Sequence, residues 1–275
     1  MEGVVVKVLA GVITVNTPNG LINCTVKGRL KLDDYPTAGD VVWVEVIDDL
    51  GVVTKIYPRR NLLDRPRIAN VDQIFIFMAA ASPEPNAYLV DRLLVIAEYW
   101  KLKAIIGFNK TDLKKCELPE IYRDIGYDVY EFSLLEDGAI DVLREALKDK
   151  TTVLAGPSGV GKTTFVNKLL GEQRVTADVS EKTQRGRHTT RVVELLRIPE
   201  GGYIADTPGF SRLDVLIDDE RTLWRYFKEY QNANCRFADC MHLKEPGCSV
   251  RDKIHPLRFQ SYVELLKEIE VMKPW

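Results

Sequence analysis

Residues 156–163 read GPSGVGKT, between the apolar run 152–155 and a stretch of helical character over 164–170. No other feature constrains the fold as much. The G-x-x-x-x-G-K-[ST] spacing works only where a strand of an α/β sheet hands over to a helix. Gly156, Gly159 and Gly161 let the backbone curl until its N–H groups point inward at phosphate oxygens. Pro157, Ser158 and Val160 complete the loop, and the helix N-terminus adds positive partial charge. Lys162 would neutralise β- and γ-phosphates. The Thr163 hydroxyl would bind Mg²⁺, with Thr164 following in the same turn.

The surrounding chain fits that demand. Apolar runs at 73–80, 103–108, 128–132, 152–155, 192–198 and 203–205 read as strands. Helical periodicity at 89–100, 139–147 and 164–170 alternates with them, which predicts an open parallel sheet covered on both faces. Residues 1–57 differ. Five short Val/Ile-rich runs (4–9, 12–15, 21–26, 41–47, 52–57) separated by turn signals predict a small barrel of OB type. The basic, proline-containing stretch 58–66 reads as a linker. From 218 the chain turns polar and helical, with helices expected over 222–230 and 257–272. The expected organisation is therefore multidomain: an OB-type β-barrel (1–64), an α/β P-loop domain (65–215) and a helical zinc-binding domain (216–275).

Composition limits the partners. There are 38 Lys and Arg against 40 Asp and Glu, a net charge of −2. Any nucleic-acid surface must then be a local patch. No apolar run is long enough for a membrane span and no signal-peptide pattern opens the chain, so no membrane contact and a cytoplasmic location are expected. A monomer is the expected state.

The second chemical motif is NKTD at 109–112, at the end of the 103–108 run. The Asp112 carboxylate can accept two hydrogen bonds from the N1–H and N2–H₂ edge of guanine. Adenine would leave that carboxylate unpaired, which is costly. Asn109 can bridge base and phosphate loop, the Lys110 stem can cover the base face, and Thr111 completes the turn. Ser133 lies where a further base contact is expected, and Leu134 occupies a place where a small residue is more usual. Further on, residues 206–209 read DTPG. Asp206 would hold Mg²⁺ through water and the Gly209 N–H would contact the γ-phosphate. The polar, basic segment 181–191 between the phosphate motifs suits a switch loop in which Thr189 or Thr190 reaches Mg²⁺. The residues do not decide between them, and Thr190 is the working assignment. Phe210 stands where a water-orienting Gln is common, which predicts slow intrinsic hydrolysis. His188 is the local candidate for positioning the water.

Five cysteines occur, and three of them join His242 in a C-x₄-C-x-H-x₅-C pattern: Cys235, Cys240, His242 and Cys248. Three thiolates and an imidazole match a closed structural zinc site, with no open position for a reacting water.

The order of motifs is reversed from that of ordinary GTPases: NKTD, Ser133, GPSGVGKT, the switch loop, then DTPG. Together with NLLDRP, NVDQ, RGRHTT, DTPGF and the cysteine cluster, it resembles the circularly permuted small-ribosomal-subunit biogenesis GTPases of the RsgA (YjeQ) family, over the whole chain. The resemblance implies an OB-fold on ribosomal RNA, a permuted GTPase core, a zinc domain, GTP and GDP as ligands, and hydrolysis stimulated by the small ribosomal subunit during its late maturation. The basic residues Arg59, Arg60, Arg65 and Arg67 would support RNA contact. Two other readings compete. A protein-signalling switch without RNA contact would favour a lipidation motif, and none is evident. A zinc nucleic-acid module with a merely structural nucleotide site is opposed by intact Lys162, Thr163 and Asp206.

Overall fold

The computed structural model describes residues 1–28, 35–47, 50–64, 66–171, 193–206, 217 and 219–272. In chain order the strands are β1 (Glu2–Leu9), β2 (Val12–Thr17), β3 (Gly20–Val26), β4 (Val41–Ile47), β5 (Leu50–Ile56), β6 (Leu62–Asp64), β7 (Arg67–Ala69), β8 (Gln73–Ala79), β9 (Lys103–Asn109), β10 (Asp128–Glu131), β11 (Lys150–Ala155), β12 (Glu194–Arg197) and β13 (Gly202–Asp206). The α-helices are α1 (Ala87–Tyr99), α2 (Leu118–Asp124), α3 (Asp141–Leu147), α4 (Lys162–Leu170) and α5 (Pro256–Met272). The chain forms two compact units: Met1–Gln73 with Ile140–Leu154 and Thr163–Phe210, and Ile74–Ala139 with Ala155–Lys162 and Ser211–Trp275.

The first unit holds the barrel. Its strands run β1-β2-β3-β5-β4, and β4 returns to pair with β1, so the ring closes without a free edge. Alternation along each strand turns Val5, Ile13, Val15, Cys24, Val26, Val42, Val44 and Val53 inward as one core. Each buried aliphatic contributes roughly 1.5–3 kcal/mol. The β1–β2 hairpin turns at Ala10 and Gly11, both at positive φ (49° and 83°), as its right-handed twist requires. Outside the ring, β12 pairs antiparallel with β1 through Lys7 and Glu194, and the Asn16 amide donates to the Tyr203 hydroxyl at 2.7 Å.

Not every strand of this unit is parallel, as the alternating pattern led one to expect. β11 and β13 are parallel, but β12 is antiparallel to β13. Only residues 198–201 separate β12 from β13, with Gly201 and Gly202 at positive φ. So short a connection makes a hairpin and cannot make a crossover.

The stretch 58–66 is also more than a linker. It contains β6, which pairs with β7, and two asparagines bracket that hairpin. Asn61 exchanges two hydrogen bonds with the Val71 backbone at 2.8 and 2.9 Å, and the Asn70 amide donates to Gly39 O at 2.9 Å. Gly39 (φ 91°) has no room for a side chain, because a Cβ there would stand 2.0 Å from Ala69 O. Arg59 grips the fully buried Asp40 with both Nε (2.6 Å) and Nη2 (2.8 Å), and Arg60 pairs with Asp72. Of the arginines expected to support RNA contact, Arg59 is thus engaged inside the protein, whereas Arg60 stays exposed beside Asp72.

In the second unit the strands lie in the order β10-β9-β8, with β9 and β10 parallel. Every residue of β8 is buried, as its unbroken apolar run requires. The helix expected over 222–230 is two 3₁₀ segments, Glu220–Tyr226 and Lys228–Tyr230, with Phe227 extended between them (φ −108°, ψ 114°). The break lets Leu223, Phe227 and Tyr230 all reach a core completed by Tyr262, Leu265 and Ile269 of α5.

One cation ties this unit together. Arg258 of α5 is fully buried. It donates through Nη1 to Asp91 of α1, and through Nε and Nη2 (2.8 Å) to Glu229. Tyr122 of α2 donates to the same Asp91 oxygen at 2.9 Å. Burial works against the guanidinium charge, but the Asp91 and Glu229 carboxylates outweigh it and push the Arg258 pKa up. Removing this cation strands two buried carboxylates. Arg258→Met is expected to lower the urea unfolding free energy by about 3–5 kcal/mol. Arg123→Met, whose partners Glu120 and Glu131 are exposed, should cost less than about 1 kcal/mol by the same measurement.

Candidate nucleotide site and zinc cluster

The motifs that the chain separates by more than forty residues meet in the second unit. Asn109, at the end of β9, is buried and uses its amide twice. Nδ2 donates to Val160 O of the glycine loop at 2.8 Å, and Oδ1 accepts from the Leu134 N–H at 3.0 Å. Lys110 (φ 65°) extends its ammonium to Gly159 O at 2.8 Å and to Ser82 O. The Thr111 N–H points to Phe132 O at 3.4 Å, and Ser133 is buried with its Oγ accepting from the Leu135 N–H at 3.2 Å. NKTD, Ser133 and the glycine loop are therefore one assembly. Asn109 was expected to span base and phosphate loop. Its amide reaches that loop and fastens it to the Ser133–Leu134 segment as well. Asp112 is exposed beyond this knot.

Glycine is required where the loop is tightest. Gly156 has φ 146°, and a Cβ there would lie 2.0 Å from Phe77 O of β8. Gly161 has φ 105°, and a Cβ would meet Asn109 Nδ2 at 2.5 Å. No larger residue could pass this close to neighbouring strands. The Lys162 ammonium lies on loop carbonyl oxygens, at 2.8 Å from Gly156 O and also on Pro157 O. Pro157 is half-buried, Ser158 and Gly159 are exposed, and Val160 is fully buried and anchors the loop. Such a loop offers N–H groups, a lysine and a helix start to an anion.

In the first unit, Thr163 and Thr164 are exposed in the first turn of α4. The parallel pairing of Val153 with Ala205 brings Asp206 to the carboxyl edge of β13, level with the end of β11. His188, Thr189, Thr190, Gly209 and Phe210 lie outside the described residues.

Cys235, Cys240, His242 and Cys248 converge, with their ligand atoms all within 4.8 Å of one another. His242 Nδ1 is 3.5 Å from Cys235 Sγ, 3.6 Å from Cys240 Sγ and 3.5 Å from Cys248 Sγ, and Cys235 and Cys248 are 3.9 Å apart. A tetrahedron with Zn–S near 2.3 Å and Zn–N near 2.05 Å has edges of about 3.6 Å (S···N) and about 3.8 Å (S···S). The four residues fit a structural zinc site in donor type and in size. Burial holds His242 below the ordinary imidazole range, so the ring is neutral, as a ligand must be. Tyr230 stacks on it at 4.6 Å.

Reading the sequence missed the residue that shapes this loop. Glu245 accepts from the backbone N–H groups of Met241 (2.9 Å), Leu243 (2.8 Å) and Lys244 (2.9 Å). Burial alone would raise its pKa, but these donors outweigh it and hold the carboxyl below the usual range. A Glu inside a cysteine-rich loop was the available signal. Metal analysis of the purified chain is expected to find about one zinc per molecule. Cys240→Ser should lose it and melt earlier, and a variant that kept its zinc would remove Cys240 from the ligand set.

The RsgA GTPase family model matches residues 56–216. The small ribosomal subunit biogenesis GTPase RsgA of Carboxydothermus hydrogenoformans is 44% identical, covering 98% of both chains. The protein of that name from Caldanaerobacter subterraneus subsp. tengcongensis is 39% identical, over 98% of this chain and 96% of its own. Among solved structures, YjeQ from Thermotoga maritima matches with a TM-score of 0.83 at 31% identity, covering 99% of both chains. YloQ, described as a circularly permuted GTPase, matches with a TM-score of 0.80 at 33% identity, over 100% of this chain and 96% of its own. With its two nucleotide motifs joined through Asn109 in reversed order, this chain belongs to the RsgA GTPase family.

Proposed function

We propose that this protein hydrolyses GTP, binds the small ribosomal subunit, assists its late maturation and couples hydrolysis to release. The observation that carries the reading is the Asn109 amide, which makes one pocket from a guanine-selecting motif and a phosphate loop. The names of the relatives supply the ribosomal context.

The residue roles follow from chemistry. Asp112 reads the guanine edge, and Lys110 covers the base while its ammonium holds Gly159 O. Ser133 supports the turn beside them. Gly156 to Gly161 present N–H groups to the phosphates, and Lys162 shifts from loop carbonyls to phosphate oxygens. Thr163 and Asp206 suit Mg²⁺: a hydroxyl in a first helical turn and a carboxylate at a strand end, both in the first unit. Thr190 would complete the set, and Mg²⁺ would offset charge on the transferred phosphoryl group. Gly209 contacts the γ-phosphate and His188 orients the water. The chain divides functionally into a barrel (1–64), a permuted GTPase domain (65–215) and a zinc domain (216–275). It acts as a cytoplasmic monomer without membrane contact, and no helix among the described residues is long and apolar enough to cross a membrane. Exposed Arg236, Lys244, Arg251 and Lys253 around the zinc cluster offer ribosomal RNA a basic face.

GTP turnover measured with and without purified small ribosomal subunits tests the reading. Stimulation of about tenfold or more is expected, in the manner of partner-activated GTPases. Unchanged turnover favours a signalling switch without RNA contact, and no turnover in either condition favours a zinc module with a structural nucleotide site. Asp112→Asn should weaken GTP by about a hundredfold or more and favour xanthosine triphosphate instead. Unaltered GTP affinity in that variant would sink the base-site assignment.

A further inference from the structure

The glycine loop gathers several N–H dipoles of one sign at one place, and they repel each other. Such a loop has to be held from outside. Phe77 O lies against Gly156, the Asn109 amide takes Val160 O, and the Lys110 ammonium takes Gly159 O at 2.8 Å. A further hold is apolar. Leu134 is buried, and its Cδ1 lies 3.5 Å from where a Gly161 Cβ would be. Its own N–H is fixed by Asn109 Oδ1 at 3.0 Å. The side chain therefore lies beside the last glycine before Lys162, and its backbone is locked to the motif that reads the base. A small residue at 134 would leave Gly161 without that neighbour.

We infer that Leu134 is a positioning residue for the phosphate loop. Its side chain sets the height of the peptide that joins Gly161 to Lys162, so nucleotide affinity depends on it. A loop displaced by a fraction of an ångström loses aligned N–H donors at several phosphate oxygens together. The selection of guanine, made by Asp112, does not depend on Leu134. This inference rests on the reading of the pocket as a guanine-nucleotide site.

The test uses the full chain and titration with fluorescent GDP, together with steady-state GTP hydrolysis. Leu134→Ala is expected to weaken GDP about tenfold, the equivalent of ~1.4 kcal/mol, with the loss in KM rather than kcat. The preference for guanine over xanthine should not move. Leu134→Val, which shortens the side chain, should fall between, and Leu134→Met, of similar volume, should restore affinity to within about twofold. Leu93→Ala, an equally buried leucine of α1, should lower the melting temperature and keep GDP affinity. Wild-type affinity in both shortened variants would overturn the inference. So would an equal loss in Leu93→Ala, which would mark the effect as general destabilisation. Asp112→Asn separates the two readings: if it shifts base preference while Leu134→Ala and Leu134→Val are neutral, only the role of Leu134 fails.

Discussion

The pocket depends on one buried amide. Asn109 donates to Val160 O and accepts from the Leu134 N–H, so a single side chain fixes three segments from different parts of the chain. A buried amide cannot be exchanged cheaply. Removing it leaves a carbonyl and an N–H without partners, at about 1–3 kcal/mol each. The reversal of motif order in the sequence does not disturb this arrangement. What the site needs is strand ends that meet at one edge, and a sheet provides those whatever the order of its connections.

The same economy of fixed partners runs through the C-terminal region. The described residues of 219–254 form only short 3₁₀ segments and loops, too little regular structure to satisfy their own backbone. Three devices compensate. The Cys3His cluster closes the loop on a metal, Glu245 collects three backbone N–H groups, and Arg258 joins Glu229 to Asp91 on α1 and, through it, to Tyr122 on α2. The devices are polar and directional, so they specify one geometry where a small apolar core would tolerate several.

Much of this was legible in the sequence, and the limits have physical causes. The barrel strands and β8, β9 and β11 were readable because alternation and unbroken apolar runs report burial directly. The motifs were readable because glycine, lysine and cysteine spacing reports backbone shape and ligand geometry. What was not legible depended on partners distant in sequence. Arg59 read as free basic charge, since nothing local announces the buried Asp40. α2 was missed because its seven residues are too few to show a period. The break at Phe227 comes from Tyr262 and Tyr230 around its ring, and helix periodicity carries no trace of them. Leu134 read only as a departure from the small residue usual in a base-site motif, since nothing local announces its place beside Gly161.

Chain order adds a consequence that fold alone would not. Asp206 ends β13, and Ile217 is already part of the apolar cluster of α5 and the 3₁₀ segments. Only residues 207–216, which open with the rest of the DTPG motif, join them. In an unpermuted GTPase the same motif is followed by more of the nucleotide domain. Here it is followed by the region that carries the Cys3His cluster, so the chain leaves the nucleotide motifs directly after DTPG. A cut at that point, with the old ends joined elsewhere, leaves the pocket intact because Asn109 and the glycine loop need no help from the connection. It also sets the DTPG segment directly before the C-terminal region, an order that a pocket fixed through Asn109 tolerates.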